Sequence, residues 1–488
     1  MLRDASLPFT WNDAANGSRS AHSGRSVLES ETEMLFPFRF YARLWLTVCL
    51  LCLCCVAFAV PPKKTDKTAP GPQRHGRDVQ VIDGEWKFQT DPEDTGMTHK
   101  WNEEISAKAV SIAVPALWTT QAAPGYTGAA WYWREFDVPA DWKGQMIRLR
   151  FEGAHEAARS GVNGGLLGEH KGGVTPFEFD ATKAIHTGAK NLIAVRLEGN
   201  GKLGAGIWQG VQLLAHDEAY LADCYPQGDV YGHLNVAIIF RNTSANSGDA
   251  TLDARVVAAD APTRDVKRTN QNLHLTPGDN QTNLLLTISG RQLTLWSPEK
   301  PALYLLQMVF RQGKDLLDTQ ETAFGFRTLG LQSGSVIING ATVKLAAIAP
   351  VFEHPIVIAS TDDTERAREL LRKLKARGIT LVYLEAPPAG LVSLADHEGL
   401  LVVERARHDM PEPARLNELR ALLLRDRAHP SIIAWDLGDV TEEQAAPVRR
   451  LDPTRFLLAG PSAAPRLWLP DQDSPMQGAL PAGLLPQP

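Results

Sequence analysis

The chain has 488 residues, a formal net charge of −6, 44% hydrophobic and 22% charged residues. That length holds about three domains at the usual 100–200 residues each, and the apolar and charged shares are those of an ordinary globular protein. The charge is neither strongly basic nor gathered into long runs, which argues against a nucleic-acid partner and against a charged interaction tail.

The first segment with a pattern is the apolar run Leu44–Val60, which follows Arg39 and Arg43 and closes with Ala57-Phe58-Ala59. A basic stretch, an apolar stretch and an A-x-A site in that order predict a secretory signal peptide over 34–60, with Met34 as the start and residues 1–33 a disordered leader or a mis-assigned start. An uncleaved signal anchor is the alternative, since the run is at the short limit for a membrane helix. Either way the body is expected to be exported: periplasmic, extracellular or membrane-anchored. Cys49, Cys52, Cys54 and Cys55 all fall in this run, where cysteine serves as a small apolar residue. Only Cys224 lies outside it, so the body is expected to form no internal disulfide. Residues 61–78 are rich in Pro, Lys and Gly and read as a linker.

From Val79 the texture is that of short strands. Val79–Ile82 and Gly84–Phe88 are split by an Asp83-Gly84 turn signal, and Trp131–Val138, Ile147–Phe151 and Asn191–Leu197 alternate apolar with polar. Asn163-Gly164 suits a tight hairpin turn. Trp131 and Trp133 share one face and are expected to pack in a core rather than stack on a ligand. Such spacing predicts a β-sandwich over 79–217. A second run of strands covers 218–328, with Leu234, Val236 and Ile238 on one face of His233–Phe240.

In 329–460 the period changes. Strands are predicted at Val343–Ile348, Ile379–Leu384, Leu400–Glu404, Ser431–Leu437 and Phe456–Ala459. Between them lie helices at Thr364–Arg377, near Leu391–His397, at Pro413–Arg425 and at Glu442–Arg450. Strand–helix alternation of this kind implies a parallel sheet. Residues 461–488 are Pro-rich and read as coil. Leu467, Trp468 and Leu469 are the large apolar cluster in that tail and are expected to pack on the sheet or its helices. No cofactor or metal is expected, since His354 and His408 make no metal spacing with a third ligand.

The stretch Asp426-Arg427-Ala428-His429-Pro430-Ser431-Ile432-Ile433-Ala434-Trp435-Asp436-Leu437-Gly438-Asp439-Val440 resembles the acid/base strand of glycoside hydrolase family 2, the β-galactosidase and β-glucuronidase family, which runs R-x-H-P-S-I-I-x-W-S-L-G-N-E. Residues 79–217 resemble that family's jelly-roll sugar-binding domain through Asp83-Gly84-Glu85-Trp86-Lys87-Phe88, Val114-Pro115, Trp131-Tyr132-Trp133-Arg134, Val162-Asn163-Gly164, Gly172–Asp180 and Gly206-Ile207-Trp208. Residues 218–328 are similar to its immunoglobulin-like middle domain, which closes here on Leu295–Tyr304 and Phe324–Thr328. The resemblance implies a multidomain β plus α/β protein: a jelly-roll β-sandwich, an immunoglobulin-like β-sandwich and an incomplete (β/α) TIM-type barrel. A complete barrel takes about 250 residues, more than residues 341–488 supply, so the strand with the family's nucleophile is expected to be missing.

The resemblance also marks what has changed. A retaining glycosidase needs an acid/base and a nucleophilic carboxylate, and here the family's Asn-Glu is Asp439-Val440, a side chain that can neither donate nor accept a proton. After the first strand the family's N-R-H-E-H-H-P is reduced to Ala349-Pro350-Val351-Phe352-Glu353-His354-Pro355, and after the second Tyr383-Leu384-Glu385-Ala386-Pro387 lacks the family's Arg and His. Glu353, Glu385 and Glu404 are the remaining carboxylates at or near strand ends. Asp436, Asp439 and Glu442 are expected to cap turns or face solvent. His354, Glu385, Trp435 and Asp439 are the candidates for a residual carbohydrate-binding face. Three readings follow: a non-catalytic homologue that binds carbohydrate or serves an assembly, an active exo-β-glycosidase, and a purely structural subunit of an envelope complex. A homo-oligomer or a protein complex is expected to cover the open edges of a part-barrel.

Overall fold

The computed structural model describes residues 76–488 apart from 200–203, 349–360, 408–411, 461–465, 469, 471–479, 482–483 and 485–488. The expected signal and most of the linker, with Glu353, His354 and His408, lie outside the described residues.

Alternation builds the first sandwich. In Met146–Phe151 the residues Ile147, Leu149 and Phe151 are buried while their neighbours are half-exposed. This strand sits in a four-stranded antiparallel sheet, ordered Asp78–Val81, Val211–His216, Met146–Phe151, Phe177–Asp180. The facing seven-stranded sheet has Lys190–Gly199 and Gly128–Asp137 at its centre. Trp86, Phe88, Tyr132, Val195 and Leu213 fill the space between. Asn163 and Gly164, both at positive φ, close the hairpin between Ala154–Val162 and Gly165–Gly172, the pair of left-handed residues a tight hairpin turn requires. Asp83-Gly84 turns the chain differently. The strands it separates lie in opposite sheets, and the Asp83 carboxylate accepts the Val211 N–H at 2.7 Å. On the outer face of the long sheet Trp131 and Trp133 stack with centroids 6.1 Å apart, and Trp101 stands edge-on to both. Both tryptophans are buried, so neither offers a ring to a ligand.

The second sandwich sets the three strands Ala219–Gly228, His233–Asn242 and Gly278–Thr287 against the four strands Ala261–Leu275, Gly248–Ala258, Tyr304–Gln312 and Asp315–Phe324. Leu234, Val236, Ile238 and Phe240 face Leu252, Val256, Leu306 and Phe310 across one core.

The third part is an α/β unit. Its sheet runs β1 (Ala347–Ile348), β2 (Leu381–Glu385), β3 (Leu401–Arg405), β4 (Ile432–Asp436), β5 (Phe456–Ala459) and β6 (Arg466–Trp468) in that spatial order. The first five are parallel. Helices α1 (Thr361–Ala376), α2 (Ala389–Glu398), α3 (Glu412–Asp426) and α4 (Glu442–Leu451) connect them. Strand β1 has two residues rather than the predicted six, and the tail is not all coil: β6 pairs antiparallel with β5 over three residues. Pro465 and Pro470 flank β6, and proline limits a strand because it lacks the N–H.

The sheet has two apolar faces. Val382, Leu384, Val402, Ile432, Trp435 and Leu457 pack with the helices and with Leu117, Val174 and Trp208 of the first sandwich. Leu381, Tyr383, Leu401, Val403, Ile433 and Leu458 pack on the other side with Trp296, Val336, Ile338 and two tail residues, Leu467 and Leu484. The inner face of the strands is therefore filled.

Candidate functional site

In parallel α/β sheets ligands gather at the carboxyl ends of the strands. Here β2, β3 and β4 end on Glu385, Arg405 and Asp436, which are register partners in neighbouring strands. Arg405 Nη2 lies 2.8 Å from Glu385 Oε2. Asp436 Oδ1 accepts the Gly438 N–H at 2.9 Å. Burial pushes the Asp436 carboxyl above the ordinary range, against the pull of the Gly438 N–H and of Arg405 and Arg415. Just beneath the row, the Tyr383 hydroxyl is buried, has no hydrogen-bond partner among the described residues, and is pushed upward by burial and by Asp436.

The row sets one guanidinium between two carboxylates and is rich in donors and acceptors, a surface able to hydrogen-bond sugar hydroxyls. Glu385 and Asp436 stand two strands apart, roughly 9–10 Å between backbones. An arginine occupies the strand between them.

The other predicted residues disperse. Val440 is 9% exposed and belongs to the helix-side core with Leu437, Ala445 and Val448. Asp439 is exposed and offers its backbone carbonyl to Arg415 Nη2 at 3.1 Å. Trp435 faces the helices, not the strand ends, and donates its Nε1–H to Asp452 at 2.8 Å. Glu404 is fully buried beside Asp426 and Arg425, on the opposite side of β3 from Arg405. Glu442 opens α4 next to a Thr441–Gln444 capping box. Arg405, Tyr383 and Arg415 were not singled out by the sequence. The signal that could have found the row is its strand-terminal position on three consecutive strands.

The lower end of β4 carries the retained half of the motif. His429 Nδ1 contacts Asp396 Oδ2 at 2.5 Å, and the Ser431 N–H donates to Asp396 Oδ1 at 2.9 Å. Burial opposes a charge on His429, yet Asp396 and Asp426 hold its pKa above the ordinary value. Arg455 donates to the carbonyls of His429 and Ile432 at 2.7 and 2.9 Å, and to Asp452 Oδ2 at 2.7 Å. Asp452 Oδ1 in turn accepts the Tyr225 hydroxyl at 2.6 Å. Arg427 pairs with Asp223 and lies 4.5 Å above the Tyr225 ring. Pro430 closes on Gly325, where an added Cβ would come within 2.9 Å of the Pro430 ring. Arg427, His429, Pro430 and Trp435 thus join β4 to its neighbours and to the second sandwich.

The motif's match to known proteins extends beyond this strand. The sugar-binding domain of glycosyl hydrolases family 2 matches residues 79–244, and a second model of the same family matches residues 220–327. The chain belongs to glycoside hydrolase family 2. Among family 2 relatives, the β-galactosidase of Thermoanaerobacter pseudethanolicus is 25% identical over 397 residues, covering 74% of this chain and 51% of that protein. The β-glucuronidase of Paenibacillus borealis is 23% identical over 447 residues, covering 78% and 72%. The fold is shared with a family 2 member from Bacteroides cellulosilyticus at a TM-score of 0.68, 24% identity, and coverage of 78% of this chain and 56% of that one. The chain spans about half the length of the first of these relatives.

Proposed function

We propose that this family 2 chain has lost the family's retaining chemistry and acts by binding carbohydrate or by serving an assembly. The observation that carries this reading is the strand-end row. Where two free carboxylates are required, Arg405 engages Glu385, Asp436 lies on the far side of that arginine, and Val440 is packed in a core. The row keeps the means to hold a saccharide ring without the means to cleave its glycosidic bond.

The reading includes the layout inferred from sequence: a jelly-roll sugar-binding domain over 79–217, an immunoglobulin-like domain over 218–328, a partial (β/α) barrel over 329–460, and a tail over 461–488. Export follows from the leader pattern before residue 61, and N-terminal sequencing of secreted material beginning near Val60 would support it. The assembly role has a weaker basis, because the tail strand already occupies the β5 edge.

A glycan array with the purified body tests the binding half. Saturable binding that Glu385→Gln or Asp436→Asn abolishes supports it. Absence of any glycan ligand favours the structural-subunit reading.

A further inference from the structure

The seam between the first sandwich and the α/β unit holds a carboxylate with no counter-charge of its own. Glu404 on β3 is 0% exposed, and neither oxygen accepts a hydrogen bond from a donor among the described residues, while the Asp426 carboxylate stands beside it. Its nearest cation is Arg425, with Nη2 3.8 Å from Oε1. That guanidinium is already committed. Its Nε and Nη2 both donate to Asp426, which is also fully buried, Nη2 reaches the Pro387 carbonyl at 2.7 Å, and Nη1 reaches the Val174 carbonyl of the first sandwich at 3.4 Å. Two buried carboxylates therefore share one arginine. Isolated buried charge costs far more than protonation, so one of the two groups holds a proton.

We propose that Glu404 is a proton-linked latch on this seam: protonated, it donates to Asp426 and the seam closes around Arg425, and ionised, it forces the seam to admit water. The groups facing it fix the assignment. Asp426 takes two donors from Arg425, and His429 lies 4.0 Å from its Oδ1 with Asp396 behind. Arg455 near Glu404, and Glu152 of the first sandwich near Arg425, act only as more distant charges. Burial, then Asp426, hold the Glu404 carboxyl well above its ordinary value of 4.5. A raised acid of this kind gives stability that is complete below its unfolded value and lost as pH rises through its folded value.

The test is hydrogen–deuterium exchange of residues 412–426 and 174–180, from about pH 5 to about pH 9, corrected for intrinsic exchange rates; one linked proton changes the closed-to-open ratio by about tenfold per pH unit while Glu404 titrates. Wild type should loosen as pH rises. Glu404→Gln should stay closed, since the amide donates to Asp426 at any pH. Asp426→Asn should remove the pH step by freeing Arg425 for Glu404. The infrared C=O band of a protonated buried acid should be present in wild type near neutral pH and vanish in Glu404→Gln. An unchanged pH step in Glu404→Gln, or no such band in wild type, overturns the proposal; the band decides it if the variants do not fold.

Discussion

Arg405 Nη2 sits 2.8 Å from Glu385 Oε2, between the two carboxylates that end β2 and β4. This pair sets the chemical character of the strand ends. It is partly exposed, and such pairs are worth about 0–1 kcal/mol. Arg405→Ala should therefore leave thermal stability nearly unchanged while weakening glycan binding at least about tenfold, the loss of one charge-assisted contact. Calorimetric titration beside a melting curve checks both halves. Equal binding by the variant would remove the row from the site.

The contact between His429 and Asp396 is predicted to be structural. Removing one partner of a buried pair typically costs about 3–5 kcal/mol, so His429→Ala should lower the urea midpoint sharply without altering glycan specificity. The raised pKa of His429 gives stability that is complete below the ordinary histidine value and lost as pH rises through the folded one. In chemical denaturation, His429→Gln should flatten that decline. A variant with the wild-type pH slope would contradict the charge assignment.

Arg407 links the first sandwich to the α/β unit. Its Nη1 is 2.6 Å from His155 Nε2 and its Nε is 3.3 Å from Glu418 Oε2. Arg407→Met should remove both side-chain contacts while the backbone N–H of residue 407 still serves Glu418 Oε1, at a cost of at most about 3–5 kcal/mol for breaking one side of a buried pair, and should speed proteolysis at residues 152–176. Proteolysis at the wild-type rate would show that the seam is held elsewhere.

Leu467 and Leu484 seal the inner face of the sheet at 1% and 0% exposure. Replacing either by alanine should cost about 2–5 kcal/mol, the usual range for a buried leucine. A tail that can be truncated before Leu467 with no change in the urea midpoint would mean that this packing contributes nothing.

Much of the architecture was legible because it is local. Asn163-Gly164 specifies a turn, and Leu234, Val236 and Ile238 specify a face, without help from distant residues. The motif on β4 was legible as a family mark, but its roles were not. Sequence parity fails there twice. A register shift opposite Val402 and Val403 lets Ile433 and Ala434 face the same side, which sends Trp435 to the helices and Asp436 to the strand ends. Gly438, at φ 66°, then breaks the alternation before Asp439 and Val440. Glu404 and Arg405 are adjacent in sequence and lie on opposite faces, one in a dry seam and one at the strand ends. The tail's three-residue strand also escaped the sequence, since its pairing is entirely with a distant partner, Phe456–Ala459.

The most direct measurement is turnover of aryl β-galactosides and β-glucuronides by the purified protein, read against the Asp436→Asn variant. Loss of a general acid alone costs about two to four orders of magnitude. No release of aryl alcohol above buffer is expected, and no gain from Val440→Glu, which places a carboxylate in an apolar core. Saturable turnover above about one per second, the low end of ordinary enzyme rates, that Asp436→Asn abolishes would contradict it.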